Sequence, residues 1–154
     1  MKRSIYSKIM AVLIMVLLCT ACGEDKSTQD PPAEQQMQTM EAAIAAAAEE
    51  AASLEEALQN EPLDQMEMNE TAGAIYTIWD DLLNDIWGML QEELDDETMA
   101  KLKEEQLDWI VWKEDVVEAA GAEVEGGSMY PLVTNLKAAE LTEERVYVLA
   151  EYLQ

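Results

Sequence analysis

The stretch TAGAIYTIWDDLLNDIWGML, residues 71–90, decides the fold class. Ala72, Ile75, Tyr76, Trp79, Leu82, Leu83, Ile86, Trp87 and Leu90 recur at spacings of three and four and fall within about half of a helical wheel. Asp80, Asp81, Asn84, Gln91 and Glu92 occupy the opposite half. The pattern is that of an amphipathic helix with one face turned to a core.

The same period reappears on both sides. Asp95 and Asp96 are capping residues, so the next helix is expected from near Glu97 to about Ala120, where Gly121 stops it. Its apolar arc includes Met99, Leu102, Trp109, Ile110, Val116 and Val117. Residues 121–130 read as a loop marked by Gly126-Gly127-Ser128, and Pro131 opens a last helical section that Thr142 re-caps and that ends in Val146, Leu149 and Leu153. Residues 61–154 therefore predict an all-α, small antiparallel helical bundle. Upstream, residues 34–60 are rich in Ala, Glu and Gln, strong helix formers, with Met37, Met40, Ile44, Ala47, Ala51, Leu54 and Leu58 in a heptad-like seam. A self-associating coiled-coil stalk and a helix lying along its own domain are both compatible with so small a seam.

The first residues read as an export signal. Lys2, Arg3 and Lys8 precede the apolar run Ile9 to Leu18, which is too short to span a bilayer, and small residues lead up to Cys22. This arrangement resembles the lipobox of bacterial lipoproteins and implies a signal peptide over 1–21 and a diacylglyceryl Cys22. Two acyl chains suffice for stable anchoring on the extracytoplasmic side of a membrane. Residues 22–33 are polar and contain Pro31-Pro32, as expected of a flexible tether. If Cys22 is acylated and Cys19 leaves with the signal, no disulfide is available.

Charge narrows the function. The 154 residues hold 9 basic and 33 acidic side chains, a net −24. Loss of Lys2, Arg3 and Lys8 with the signal takes the basic count from 9 to 6 and the net charge to about −27. Nucleic acid and anionic lipid surfaces repel such a protein, whereas basic proteins attract it. The absence of His removes the commonest metal ligand and general base. Gly126-Gly127-Ser128 lacks the rest of a phosphate loop, and the acidic clusters lack the alternating oxygen ligands and central glycine of a calcium loop. No enzymatic activity, cofactor or metal is expected.

Two polar residues intrude on the apolar arc of the third helix. Gln106 and Lys113 lie two turns apart among Met99, Leu102 and Trp109. A lysine there must reach the edge or meet a carboxylate, and Glu67 or Asp80 on the preceding helix is the expected partner. Such a pair is structural, since no nucleophile accompanies it.

The segment from Gln65 to Ala72 resembles the opening motif of the lysozyme inhibitor LprI-like N-terminal domain family, exported all-helical bacterial proteins. Asp80, Leu83, Asn84, Trp87 and Leu90 continue the pattern, followed by Gln106, Trp109, Trp112 and Lys113, then Gly126-Gly127-Ser128, and Leu141-Thr142 with Arg145. The chain departs from the family where it has Thr71, Val117 and a residue near Lys137 in place of the usual cysteines, and Lys113 in place of an arginine. The resemblance implies structural roles for Glu67, Asp80, Asn84, Gln106, Lys113 and Arg145, and a lysozyme or another basic envelope protein as partner. The alternative is an envelope scaffold module with the same fold and a different partner. The acidic loop with Glu123, Glu125, Gly126, Gly127 and Ser128 is the candidate contact element, its competing reading being an inter-helix turn. Trp87 and Trp112, toward the edges of their arcs, are candidates for a partner patch.

Overall fold

The computed structural model describes residues 33–153, with side chains from Met37 onward; the expected signal segment, Cys22 and nearly all of the tether lie outside the described residues. Four helices make up this part: α1 (Ala33–Asn60), α2 (Gln65–Glu93), α3 (Asp96–Gly121) and α4 (Tyr130–Ala150). Short 3-10 turns follow α3 at Ala122–Val124 and α4 at Glu151–Leu153. No strand occurs among the described residues, and the fold is all-α as the periodicity requires. None of these helices is long and apolar enough to cross a membrane.

Side-chain caps set the boundaries. Asp64 accepts the N–H groups of Met66 and Glu67, while the Glu67 carboxylate accepts the Asp64 N–H at 2.7 Å, a reciprocal capping box that starts α2. Asp95 starts α3 by accepting the Thr98 and Glu97 N–H groups and the Thr98 hydroxyl at 2.8 Å. These bonds, led by the Thr98 N–H, hold its carboxyl below the ordinary range. Pro131 sits in the first turn of α4, where a missing N–H is no loss. The expected re-cap at Thr142 does not occur. α4 runs through it unbroken, and the fully buried Thr142 hydroxyl donates back to the Ala138 carbonyl at 2.7 Å, so its own helix satisfies it.

One core joins the helices. Ile75, Trp79, Ile86 and Leu90 of α2 meet Ala139, Val146 and Leu149 of α4, the most extensive contact of the bundle, and Leu102 is the buried apolar anchor of α3. Trp79 is 2% exposed, its ring 6.3 Å from that of Tyr147. α1 packs against α2 and adds Met40, Ile44 and Ala51 to the same core. α3 leans on α4 and makes scarcely any backbone contact with α2. Where α3 ends, Gly121 is buried so tightly that a Cβ would fall 2.6 Å from Tyr130 Cε2 and 2.8 Å from Thr134 Cγ2. Only hydrogen fits there without moving the first turn of α4.

Trp79→Ala is expected to cost about 3–5 kcal/mol of stability by urea unfolding followed by circular dichroism. Leu107→Ala, at a position 55% exposed on α3, should stay within about 0.5 kcal/mol of the parent. Gly121→Ala should cost about 1–3 kcal/mol through overpacking. Equal effects at Trp79 and Leu107 would contradict this core.

Candidate functional site

Because α3 is held by α4 rather than by α2, a cleft of about 610 Å³ opens between α2 and α3, with the N-terminal half of α4 as its third wall. Tyr76, Asp80, Asn84 and Trp87 enter it from α2, at the three- and four-residue steps that stack side chains on one helix face. Gln106, Trp109, Lys113 and Glu114 enter from α3, and Tyr130 and Asn135 from α4. Four of the sequence-derived polar residues, Asp80, Asn84, Gln106 and Lys113, thus share one cavity. Glu67 stands apart in the α2 cap.

Lys113 forms no direct pair with a carboxylate, contrary to the expectation drawn from its position. Its Nζ lies 4.9 Å from the centre of the Trp109 ring and 5.3 Å from that of Tyr76, and it donates a long 3.4 Å hydrogen bond to the Tyr76 hydroxyl. That hydroxyl donates onward to Asp80 Oδ1 at 3.1 Å, and the Asn84 amide donates to the Asp80 carbonyl at 2.8 Å. Two aromatic faces replace the expected carboxylate, and the tyrosine links cation to anion. Burial pushes the Lys113 ammonium below the ordinary lysine range, against the opposing pull of Asp80 and Glu114. Burial, the Asp80 charge and the Asp80 hydrogen bond together push the Tyr76 phenol from 10.0 up to about 12.

Beside the cleft, Arg145 of α4 is 6% exposed. Its Nε donates to Gln106 Oε1 at 2.8 Å and its Nη1 to Glu105 Oε1 at 2.7 Å, while its guanidinium lies 5.7 Å from the Trp109 ring centre. Nη2 is buried without a partner. Trp109 is therefore approached by two cations, one from its own helix and one from α4. The Glu105–Arg145 pair was not foreseen. Helical periodicity puts Glu105 on a polar face, and nothing local reports a partner 40 residues away.

The acidic loop lies elsewhere. Glu123, Glu125, Gly126, Gly127 and Ser128 are all exposed, and none lines the cleft. Gly126 has φ +71°, which glycine adopts without strain. The Gly127 N–H donates to the Val124 carbonyl at 3.0 Å, and the Asn69 amide donates to the Ser128 carbonyl at 2.9 Å, tying the loop to the first turns of α2.

A third feature is the outer face of α3. Leu107 is 55% and Val111 60% exposed, Ile110 stands at the cleft rim, and Trp112 is 49% exposed. Glu104, Asp108, Glu114 and Asp115, all exposed, surround them. Leu107, Ile110 and Val111 share a face by their spacing. Sequence reading had placed Ile110 in the buried arc and overlooked Leu107 and Val111, because apolar residues surround this part of α3 on several sides. Of the tryptophans, Trp79 is core, Trp87 and Trp109 are partly buried and Trp112 is exposed. Among the described residues no cluster of metal-ligating side chains occurs.

Tyr76 makes the cleft's electrostatics measurable. A phenol whose folded pKa lies above its unfolded value contributes stability fully present below pH 10 and lost as pH rises toward about 12. Ultraviolet titration should show a tyrosine ionising near pH 12. Asp80→Asn should bring that midpoint only part of the way back, because burial is the larger cause. A midpoint at 10 in the folded parent would contradict the hydrogen-bonded arrangement.

No match was found among curated proteins or among solved structures. A family model described as Lysozyme inhibitor LprI matches residues 58–149, more than half of the chain, spanning α2, α3, the acidic loop, every cleft residue and nearly all of α4. The chain belongs to the LprI lysozyme inhibitor family.

Proposed function

We propose that this protein works by contact rather than catalysis: it is exported, anchored to the extracytoplasmic side of a membrane through a lipidated Cys22, and binds and blocks lysozyme. The family match over residues 58–149 supports the lysozyme part of this reading, and the lipobox-like run ending at Cys22 supports the anchoring part. Charge supports it, since a chain with 33 acidic and 9 basic residues steers toward a basic hydrolase. The contact surface is the outer face of α3, where Leu107, Val111 and Trp112 supply desolvatable area inside a rim of carboxylates, extended by the acidic loop at Glu123 and Glu125. An apolar centre gives affinity, and a charged rim gives rate and orientation.

A second reading keeps the same surface and substitutes another basic envelope protein for lysozyme. The replacement of family cysteines by Thr71, Val117 and a residue near Lys137 favours it, because a surface held by disulfides in relatives is held here by packing alone.

The full chain should protect a cell-wall suspension from lysozyme in a dose-dependent turbidity assay. Protection should weaken between about 0.01 M and 0.15 M salt as the Debye length falls from about 30 to 8 Å. Val111→Asp together with Leu107→Asp should weaken inhibition at least about tenfold, the equivalent of one lost hot spot. Glu123→Lys with Glu125→Lys should mainly slow association. Undiminished lysis at excess protein would reject the lysozyme reading, and envelope pull-down of a different basic protein would then support the second. Cys22→Ser should move the protein from the membrane fraction to the supernatant.

A further inference from the structure

We infer that the cleft between α2, α3 and α4 is a binding site for a neutral saccharide of one or two rings. This goes beyond lysozyme binding and does not depend on it, since the cleft and the outer face of α3 meet only at the rim residues Ile110 and Glu114.

Size comes first. About 610 Å³ falls within the roughly 300–1,000 Å³ of small-molecule sites. Unused hydrogen-bonding capacity comes second. Gln106 is only 7% exposed and lines the cleft, its Oε1 is taken by Arg145, and its amide nitrogen donates to no protein atom. That nitrogen is not itself sealed from solvent, the buried donor left without a partner being Arg145 Nη2, so it stands available at the cleft wall to an acceptor on a ligand. The Asn135 amide, on the α4 wall, likewise makes no hydrogen bond within the protein. Asn84 Oδ1 and the Glu114 carboxylate add acceptors that a hydroxyl can fill.

Charge and rings select the chemistry. Asp80 and Glu114 outnumber Lys113 in the cleft, and the protein around it is strongly acidic, so an anion is repelled. A cation is drawn by the same carboxylates, but the Tyr76 and Trp109 faces that would seat it are already taken by the Lys113 ammonium. A neutral ligand remains, one that both donates and accepts hydrogen bonds and offers a C–H face to Trp87 and Tyr130. A sugar ring has all of these properties.

The test titrates the full chain with N,N′-diacetylchitobiose and cellobiose as neutral probes and with N-acetylarginine amide as a cationic one, followed by tryptophan fluorescence and calorimetry. Saturable binding of at least one disaccharide is expected, with no saturable response to the cation. Asn135→Ala and Trp87→Ala should each weaken saccharide binding about tenfold, through loss of a hydrogen bond or a stacking face. Asn84→Ala, at an exposed position that leaves the fold intact, should weaken it several-fold. A folded protein that binds neither disaccharide, binding unchanged in all three variants, or a preference for the cationic probe would overturn the inference.

Discussion

Arg145 has nowhere to go but inward, and the shape of the domain follows from how its charge is met. At 6% exposure a guanidinium needs partners, and α3 supplies them as Glu105 Oε1 and Gln106 Oε1. About one turn further on, Trp109 offers its ring. Together with the buried Leu102 and with Gly121 packed on Tyr130 and Thr134, these contacts hold α3 to α4. A pair of this kind contributes little net stability compared with an apolar replacement, but breaking one side of it is costly. Glu105 stays half exposed and partly screened, whereas Gln106 is buried, so the bond from the guanidinium to the uncharged amide is the more demanding of the two. The result is a third helix held along α4 and joined to α2 across the cleft through Lys113 and Tyr76.

That placement gives α3 two functional sides. Toward α2 it presents Gln106, Trp109 and Lys113 to an open polar and aromatic cleft. Away from the bundle it presents Leu107 and Val111 to solvent within a ring of carboxylates. A helix wholly buried on one face could not do both. Its modest amphipathicity is therefore a consequence of serving two surfaces rather than a defect of the core.

How much of this was legible in residue order depended on the range of the interaction. The helices of the bundle were readable because a period of 3.6 and caps such as Asp95 act within a few residues. Thr142 was misread as a cap because its hydroxyl can serve a helix start or fold back on the previous turn, and only burial decides which. Lys113 was legible as an intruder but not as an aromatic-bound cation, since its partner Tyr76 stands 37 residues away on another helix. The Asn69–Ser128 tie spans 59 residues and had no local trace at all. The exposed face of α3 escaped because a wheel finds an apolar stripe, not which of two apolar sides the bundle will leave uncovered.

The aromatic seat of Lys113 has a chemical consequence. An amine whose protonated form is disfavoured holds more free base at a given pH, and the free base is the nucleophile. Lys101 and Lys137, by contrast, are engaged in ion pairs with Glu97 and Glu140. Mildly alkaline acylating reagents that can enter should thus react with Lys113, which would place a reporter group inside the cleft without engineering a cysteine.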